Sequence, residues 1–177
     1  LSGSDVLSYD KLFATLDSTT RKLVLPEGRE VTLTDTVGFI QKLPTTLVEA
    51  FKSTLDEIRG ADLILHVVDA SSDERDAQMR AVEGTLEQIG AQGISRILVF
   101  NKIDLVEPSV RAALSARFPS AVLVSAETGE GADSLIEAIA RAASASEKVM
   151  EVLVPYSRGD VVSIAHERCS VLAESYD

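Results

Sequence analysis

The sequence predicts an α/β fold in which a mostly parallel sheet is covered by helices on both faces. Short apolar runs alternate along the chain with segments in which apolar residues recur every three or four positions. The strand-like runs are uninterrupted, which is typical of strands buried on both faces. Apolar residues make up 45% of the 177 residues, so the chain has enough apolar surface for a core. Strands that alternate with helices usually pair in parallel through crossover connections.

The first elements that the pattern predicts are a hairpin and a helix. Residues 21–25 and 31–37 are strand-like, and Pro26-Glu27-Gly28-Arg29 between them is a turn of the kind that closes a hairpin. Thr46 and Glu49 form a capping-box pattern, which predicts that a helix begins there. The apolar face of this helix comprises Leu47, Phe51, Leu55 and Ile58.

The rest of the chain continues the alternation. In order, we expect a strand at 63–68, a helix around 79–89, a strand at 97–100, a helix at 110–117, a strand at 121–125 and a helix around 135–143. Residues 149–155 are expected to be extended, and a final helix is expected at 159–174. The small-residue segment 142–147 is the linker candidate, which predicts domains at residues 1–146 and 147–177.

Charge and composition argue against several classes of protein. The net charge is −11 and Arg21-Lys22 is the one adjacent basic pair, so no DNA partner is expected. Binding to RNA would depend on segments outside this chain or on small local patches of basic residues. No apolar stretch approaches the ~20 residues that cross a membrane. Cys169 is the single cysteine, so no internal disulfide can form and a reducing, cytoplasmic location is expected. We expect a monomer.

The segment Asn101-Lys102-Ile103-Asp104 follows a strand-like run and is typical of a loop that recognises guanine. An aspartate just past a buried strand lies at the carboxyl end of the sheet, where α/β proteins bind ligands. The Asp104 carboxylate can accept two hydrogen bonds, and guanine offers a matching pair in N1–H and the N2 amino group. Adenine has no such pair, so the loop predicts a preference for guanine.

Two companion motifs strengthen this prediction. Asp35-Thr36-Val37-Gly38 ends a strand-like run, and there Asp35 would hold Mg²⁺ through water while the Gly38 amide approaches the terminal phosphate. Ser125-Ala126-Glu127 closes another apolar run, and a backbone amide there would meet O6 of the base. Three such motifs in this order, each at the end of an apolar run, favour a GTP and GDP site over three unrelated turns.

Four longer segments make the chain resemble the guanine-nucleotide domain of translational GTPases, and within them the HflX group of ribosome-associated GTPases. These segments are residues 10–21, 33–44, 47–51 and 66–71. The resemblance implies a P-loop-NTPase-like, Ras-like fold that hydrolyses GTP with Mg²⁺. It also implies association with the large ribosomal subunit in a rescue or splitting role. Residues 147–177 resemble the start of a small C-terminal α/β domain.

The resemblance also assigns roles near the phosphates. Within Phe13-Ala14-Thr15-Leu16-Asp17, which would contact nucleotide, Thr15 matches the switch threonine that binds Mg²⁺ and the γ-phosphate. Thr19 and Thr20 are alternatives that the sequence leaves open. Phe39 occupies the position at which many GTPases carry the glutamine that orients water. No catalytic residue is therefore assigned, and slow intrinsic turnover is expected. A partner, potassium or a reorganised loop would supply the missing polar group.

A phosphate-binding loop of the form G-x-x-x-x-G-K-[ST] does not occur in the 177 residues. The resemblance places that loop, its strand and its helix immediately before Leu1, so the 177-residue chain alone is expected to bind nucleotide poorly. The alternative hypotheses are a GTPase-like binding module without nucleotide turnover and a truncated, inactive fragment. The retained Asp35, Gly38, Asn101 and Asp104 favour the GTPase, because a module without nucleotide has no chemical need for that set.

Overall fold

The structure, a computed structural model, describes residues 19–35, 57–145, 150–169 and 171–176. The strands are β1 (Thr19–Val24), β2 (Glu30–Asp35), β3 (Leu63–Asp69), β4 (Ser95–Asn101) and β5 (Val122–Leu123). The α-helices are α1 (Arg75–Gln88), α2 (Pro108–Arg117), α3 (Ala132–Ala145) and α4 (Gly159–Arg168), and short 3₁₀ turns span Ile103–Leu105 and Tyr156–Arg158. The helix predicted from Thr46 begins outside the described residues, within which residues 57–59 are helical.

The predicted hairpin is confirmed. Strands β1 and β2 pair antiparallel, from Thr19 opposite Asp35 to Val24 opposite Glu30. The turn between them is closed by two hydrogen bonds, which the amides of Leu25 and Gly28 donate to the carbonyls of Arg29 and Leu25, each at 2.8 Å. Gly28 has a φ of +85°, a conformation that a residue without Cβ adopts at little cost.

The predicted parallel sheet is also confirmed, with strand order β3-β4-β5. Strand β5 is shorter than the predicted 121–125. The Val124 amide still donates to the Phe100 carbonyl of β4 at 2.8 Å, but the backbone groups that follow it bond to loops. The Val124 carbonyl accepts from the Ile103 amide at 3.2 Å, and the Ser125 amide donates to the Glu130 carbonyl at 2.8 Å. The register places Asp69 beside Asn101, so the carboxyl ends of β3 and β4 are adjacent.

Both faces of the parallel sheet are covered. Val99 and Phe100, neighbours in β4, point to opposite faces and are 1% and 0% exposed. Val99 packs with Leu23 and Leu25 of the hairpin segment and with Leu135 and Ile139 of α3. Phe100 packs on the other face, in a cluster that contains Leu114 of α2. Strand β4 is therefore the centre of the core, and Asn101 lies at its carboxyl end.

A groove lies between strand β2 of the hairpin and strand β3 of the parallel sheet. It has a volume of about 1370 Å³ and is lined by residues 30–35 of β2, by all of β3 and by side chains of α1 and α3. Val67 of β3 lines it and is 57% exposed. Among the described residues, β3 pairs with β4 alone, so its other edge faces the groove.

The chain divides into two compact units, residues 1–146 and 147–177. In the second unit, residues 150–155 have no strand partner in the described part of the chain. Helix α4 ends at Arg168 and not near Glu174, because Cys169 is already extended with φ −129° and ψ 161°. Glu174 instead lies against the helix, with its Oε2 3.3 Å from His166 Nε2. The predicted roles of these units, as a guanine-nucleotide domain and as the start of a small C-terminal domain, stay predictions.

In the described ranges we find no helix that is both long and apolar enough for a membrane crossing.

Candidate guanine-nucleotide site

The segment Asn101–Asp104 forms a tight reversal at the end of the central strand. Lys102 adopts a left-handed conformation with φ 62° and ψ 36°, and the 3₁₀ turn Ile103–Leu105 follows it. The Ile103 side chain is 3% exposed and packs with Phe100, which anchors the reversal in the core. The Leu105 amide donates to the Lys102 carbonyl at 3.0 Å. A buried apolar anchor thus holds the polar residues on either side of it at the surface of the site.

Among the described residues, two buried polar side-chain atoms have no hydrogen-bond partner, Asp104 Oδ1 and Arg111 Nε. A buried carboxylate oxygen without a donor costs at least about 1–3 kcal/mol, and proteins rarely keep one without a reason. Asp104 Oδ1 is therefore a buried acceptor that two donors on a ligand could satisfy.

Asn101 connects the segment Asn101–Asp104 to the loop that begins at Ser125. Its side-chain Oδ1 accepts a hydrogen bond from the Ala126 amide at 3.0 Å. Its carbonyl accepts from the Ala70 amide at 2.8 Å, which ties the end of β4 to the end of β3. Asn101 and Ala126, which the sequence predicted as parts of one site, are thus in direct contact.

The loop that begins at Ser125 is held by its own hydrogen bonds. Ser125 is 1% exposed, its Oγ accepts from the Thr128 amide at 3.1 Å, and its carbonyl accepts from the Gly129 amide at 2.9 Å. The Ser125 amide donates to the Glu130 carbonyl and the Ala126 amide to Asn101, so both amides have protein acceptors. The predicted contact of an amide with O6 would therefore require Ala126 to share its N–H. Glu127 is exposed beside it.

Asp69 ends β3 and contacts the segment Asn101–Asp104, a contact that the sequence analysis did not predict. It also begins a loop, because its Oδ1 accepts from the Ser71 amide at 2.9 Å. Its Oδ2 also lies 2.9 Å from Lys102 Nζ, in an ion pair. Burial by itself raises the pKa of Asp69, but the hydrogen bonds from Ser71 and Lys102 outweigh it, so the pKa of this carboxyl lies below its ordinary value. The available signal was the position of Asp69 at the end of a strand.

A second unpredicted contact braces the two loops from outside. Arg111 of α2 places Nη1 2.9 Å from Oε1 and 3.2 Å from Oε2 of Glu130. This pair joins the helix after Asp104 to the loop after Ser125. No sequence pattern indicated it, because the two residues belong to different elements and each alone reads as a surface charge.

The phosphate side of the predicted site is described only in part. Asp35 ends β2 and is exposed. The other predicted phosphate and metal residues, 13–17 and 36–38, lie outside the described residues, as does Phe39. Within the described ranges, no group of three or more His, Cys, Asp or Glu side chains is placed to hold a metal ion. The described residues therefore include the predicted base-recognition half of the site, Asn101, Lys102 and Asp104 with the Ser125 loop, and its function stays a prediction.

The model of a family described as 50S ribosome-binding GTPases matches residues 1–102, which is more than half of the chain. The chain belongs to this family. The chain also has curated relatives among GTPases of the HflX group, which confirms the resemblance predicted from the sequence. It is 48% identical over 177 residues to GTPase HflX of Caldanaerobacter subterraneus subsp. tengcongensis and 43% identical over 176 residues to GTPase HflX of Lacrimispora saccharolytica. These alignments take in 100% and 99% of the chain but 40% and 41% of those relatives, so the chain spans less than half of their length.

Solved structures confirm the predicted class of fold for the chain. The SsGBP–GDP complex is similar with a TM-score of 0.56 and 25% identity, over 72% of this chain and 43% of that one. Era in complex with MgGDPNP and a segment of 16S ribosomal RNA has a TM-score of 0.53 and 24% identity, over 80% of this chain and 48% of that one. At these identities the likeness concerns the fold.

Proposed function

We propose that the chain is most of the guanine-nucleotide domain of a GTP-hydrolysing switch protein. The observation that carries this proposal is the buried, unpartnered Oδ1 of Asp104 at the carboxyl end of the central strand. N1–H and the N2 amino group of guanine are the two donors that the Asp104 carboxylate would accept. A binding module that had lost its nucleotide would have no donor for this atom, and the buried oxygen would only destabilise it.

The other described residues fit supporting roles. Asn101 holds the second loop through Ala126, and Ser125 stabilises that loop internally. Ile103 fixes the reversal in the core, Lys102 would lay its stem across the nucleotide, and Glu127 would stand at the rim. Recognition would thus depend on Asp104, and the neighbouring residues would keep its carboxylate in place.

GTP hydrolysis needs a divalent cation that neutralises charge on the phosphates, and we propose Mg²⁺ for this role. Of the predicted ligands, Asp35 is described, and its exposed carboxylate is the type of oxygen donor that Mg²⁺ prefers. Thr15 would be the second ligand, within the nucleotide-binding segment 13–17. Thr36, Val37 and Gly38 would present backbone to the terminal phosphate. Phe39 would leave the attacking water without a side-chain partner, so turnover would depend on an outside group.

We further propose that a strand carrying the phosphate-binding loop precedes Leu1 in the complete protein and enters the groove between β2 and β3. The groove has a volume of about 1370 Å³, which leaves room for a further segment of chain, and it is bordered by β2 and β3. Val67, 57% exposed in the middle of β3, would be covered by such a strand. A parallel strand there would join the hairpin and the three-stranded sheet into one sheet.

The proposed partner of the complete protein is the large ribosomal subunit, and its proposed role is ribosome rescue or splitting. The family description and the similarity to HflX GTPases support this partner. The net charge of −11 places the main RNA contacts outside this chain or on small local patches. We also propose that the complete protein is cytoplasmic and monomeric.

The proposal is tested by titrating the complete protein with GDP and with ADP in a calorimeter. We expect GDP to bind at least about 100-fold more tightly than ADP, because ADP leaves the Asp104 carboxylate without donors. The 177-residue chain, titrated in parallel and checked by native mass spectrometry for retained nucleotide, should bind GDP far more weakly. Equal affinity for GDP and ADP would contradict base recognition by Asp104. No nucleotide binding at all would favour the binding-module hypothesis.

The ribosomal proposal has its own measurement, co-sedimentation of the complete protein with purified 50S and 30S subunits. We expect a non-hydrolysable GTP analogue to increase pelleting with 50S subunits over GDP by about 10-fold, since nucleotide switches typically change affinity 5- to 150-fold. The 30S subunits are the matched control. Equal pelleting with both subunits, or none with either, would refute the proposed partner.

A further inference from the structure

We propose that Asp69 is a positioning residue of the nucleotide site, which holds the Lys102 ammonium group in place for nucleotide binding. This inference rests on the proposed guanine-nucleotide function and adds to it a residue on a different strand. Asp69 would not touch the nucleotide. It would act through Lys102, which belongs to the base-recognition segment.

The sheet brings the two residues together. Asp69 ends β3 and lies opposite Asn101 in the parallel ladder, one residue before Lys102. The Ala70 amide donates to the Asn101 carbonyl at 2.8 Å, which fixes the two strand ends relative to each other. From this position Asp69 Oδ2 reaches Lys102 Nζ at 2.9 Å. The contact therefore follows from the register of the central strands.

The two oxygens of Asp69 have separate partners. Oδ1 accepts from the Ser71 amide at 2.9 Å and from the Ser71 hydroxyl at 2.6 Å, while Oδ2 faces Lys102. The carboxylate is thus oriented by one oxygen and holds the lysine with the other. An asparagine at this position could keep the first interaction through its carbonyl oxygen, but its amide nitrogen cannot accept from the ammonium group.

Lys102 needs such a partner for a physical reason. It is the one described non-glycine residue with a positive φ, at 62°, and its side chain is 52% exposed. A lysine stem has four rotatable bonds and samples many rotamers when nothing holds its end. An ion pair that is present before the nucleotide arrives reduces the ordering that binding requires, and this raises affinity without a new contact to the ligand.

A double-mutant cycle on the complete protein tests the inference, with GDP affinity measured by calorimetry. We expect Asp69→Asn to weaken GDP roughly 5-fold in the parent background and to have no further effect in a Lys102→Met background, as coupled residues are non-additive. The preference for GDP over XDP should not change, because Asp104 is untouched. Asp76→Asn is the matched control. It breaks an exposed ion pair of 2.8 Å between Asp76 on α1 and Arg117 on α2, and GDP affinity should stay within about two-fold.

The outcomes separate this inference from the proposed function. If the parent protein binds GDP and Asp69→Asn weakens it equally in both backgrounds, or not at all, the positioning role is overturned while the guanine site stands. If the parent protein binds no GDP, both are overturned. The melting temperature of each variant, compared with that of the parent protein, shows whether the variant is folded. Should Asp69→Asn not fold, Asp69→Glu provides the second comparison, since a displaced carboxylate should weaken GDP in the parent background only.

Discussion

Replacing Asp104 by asparagine in the complete protein should weaken GDP binding by about 100- to 10,000-fold, because two hydrogen bonds to a charged acceptor contribute about 1.5–3 kcal/mol each. The same variant should gain affinity for XDP, since the asparagine amide can donate to the additional carbonyl oxygen of xanthine while its carbonyl accepts from N1–H. Calorimetric titration with both nucleotides measures the exchange of preference. The buried Oδ1 of Asp104, which has no partner among the described residues, is the structural reason for the size of the effect.

The gain for xanthine is the internal control of this experiment, because a variant that binds XDP must be folded. Asp73→Asn makes the same chemical change at an exposed position on the loop before α1 and should leave both affinities within about two-fold. An Asp104→Asn protein that kept the preference for GDP over XDP would show that another residue reads the base.

Replacing Gly131 by alanine should lower the free energy of unfolding by about 2–5 kcal/mol. Gly131 has a φ of +78°, and a Cβ there would overlap the Leu123 carbonyl oxygen and approach Val124 Cα to 3.2 Å. The positive φ costs about 1–2 kcal/mol for a residue with a Cβ, and forced overpacking adds about 1–3 kcal/mol. Urea unfolding of the variant against the parent protein measures the loss.

Gly129→Ala separates these two contributions. Gly129 has a φ of +81°, but a Cβ there would have no heavy atom within 4 Å. It should therefore lose only the conformational part, about 1–2 kcal/mol. Equal losses in the two variants would mean that the close approach of Gly131 to β5 does not constrain the loop. A larger loss for Gly131→Ala would indicate that this approach fixes the start of α3 against the sheet.

The positions of most elements were predictable from the sequence, because their signals are local. The hairpin 19–35 has its turn residues between two strand-like runs, and the helices α1, α2 and α3 repeat apolar residues at helical spacing. A strand or helix that buries one face has apolar residues at a regular spacing, and this spacing is visible in the sequence. The ends of elements were less predictable. Strand β5 stops at Leu123, after which the backbone bonds largely to loops, and helix α4 stops at Arg168, because Cys169 is extended.

The residues proposed for base recognition could also be predicted, because their types and order match the chemistry of guanine. Asn101 and Asp104 belong to one predicted motif and Ser125 and Ala126 to another, and the Asn101–Ala126 hydrogen bond joins the two motifs. The roles of Thr15, Gly38 and the rest of the phosphate side stay predictions, since those residues lie outside the described part of the chain.

The sequence by itself determined the class of fold and the order of the motifs, and it predicted which loop would recognise the base. Tertiary structure alone decided that Asp69 meets Lys102, that Arg111 meets Glu130 and that one oxygen of Asp104 is buried without a partner. The physical reason is that local patterns report the period of burial, whereas these contacts depend on strand order and register. Asp69 and Lys102, for example, become neighbours only when β3 and β4 pair in parallel and bring their carboxyl ends together.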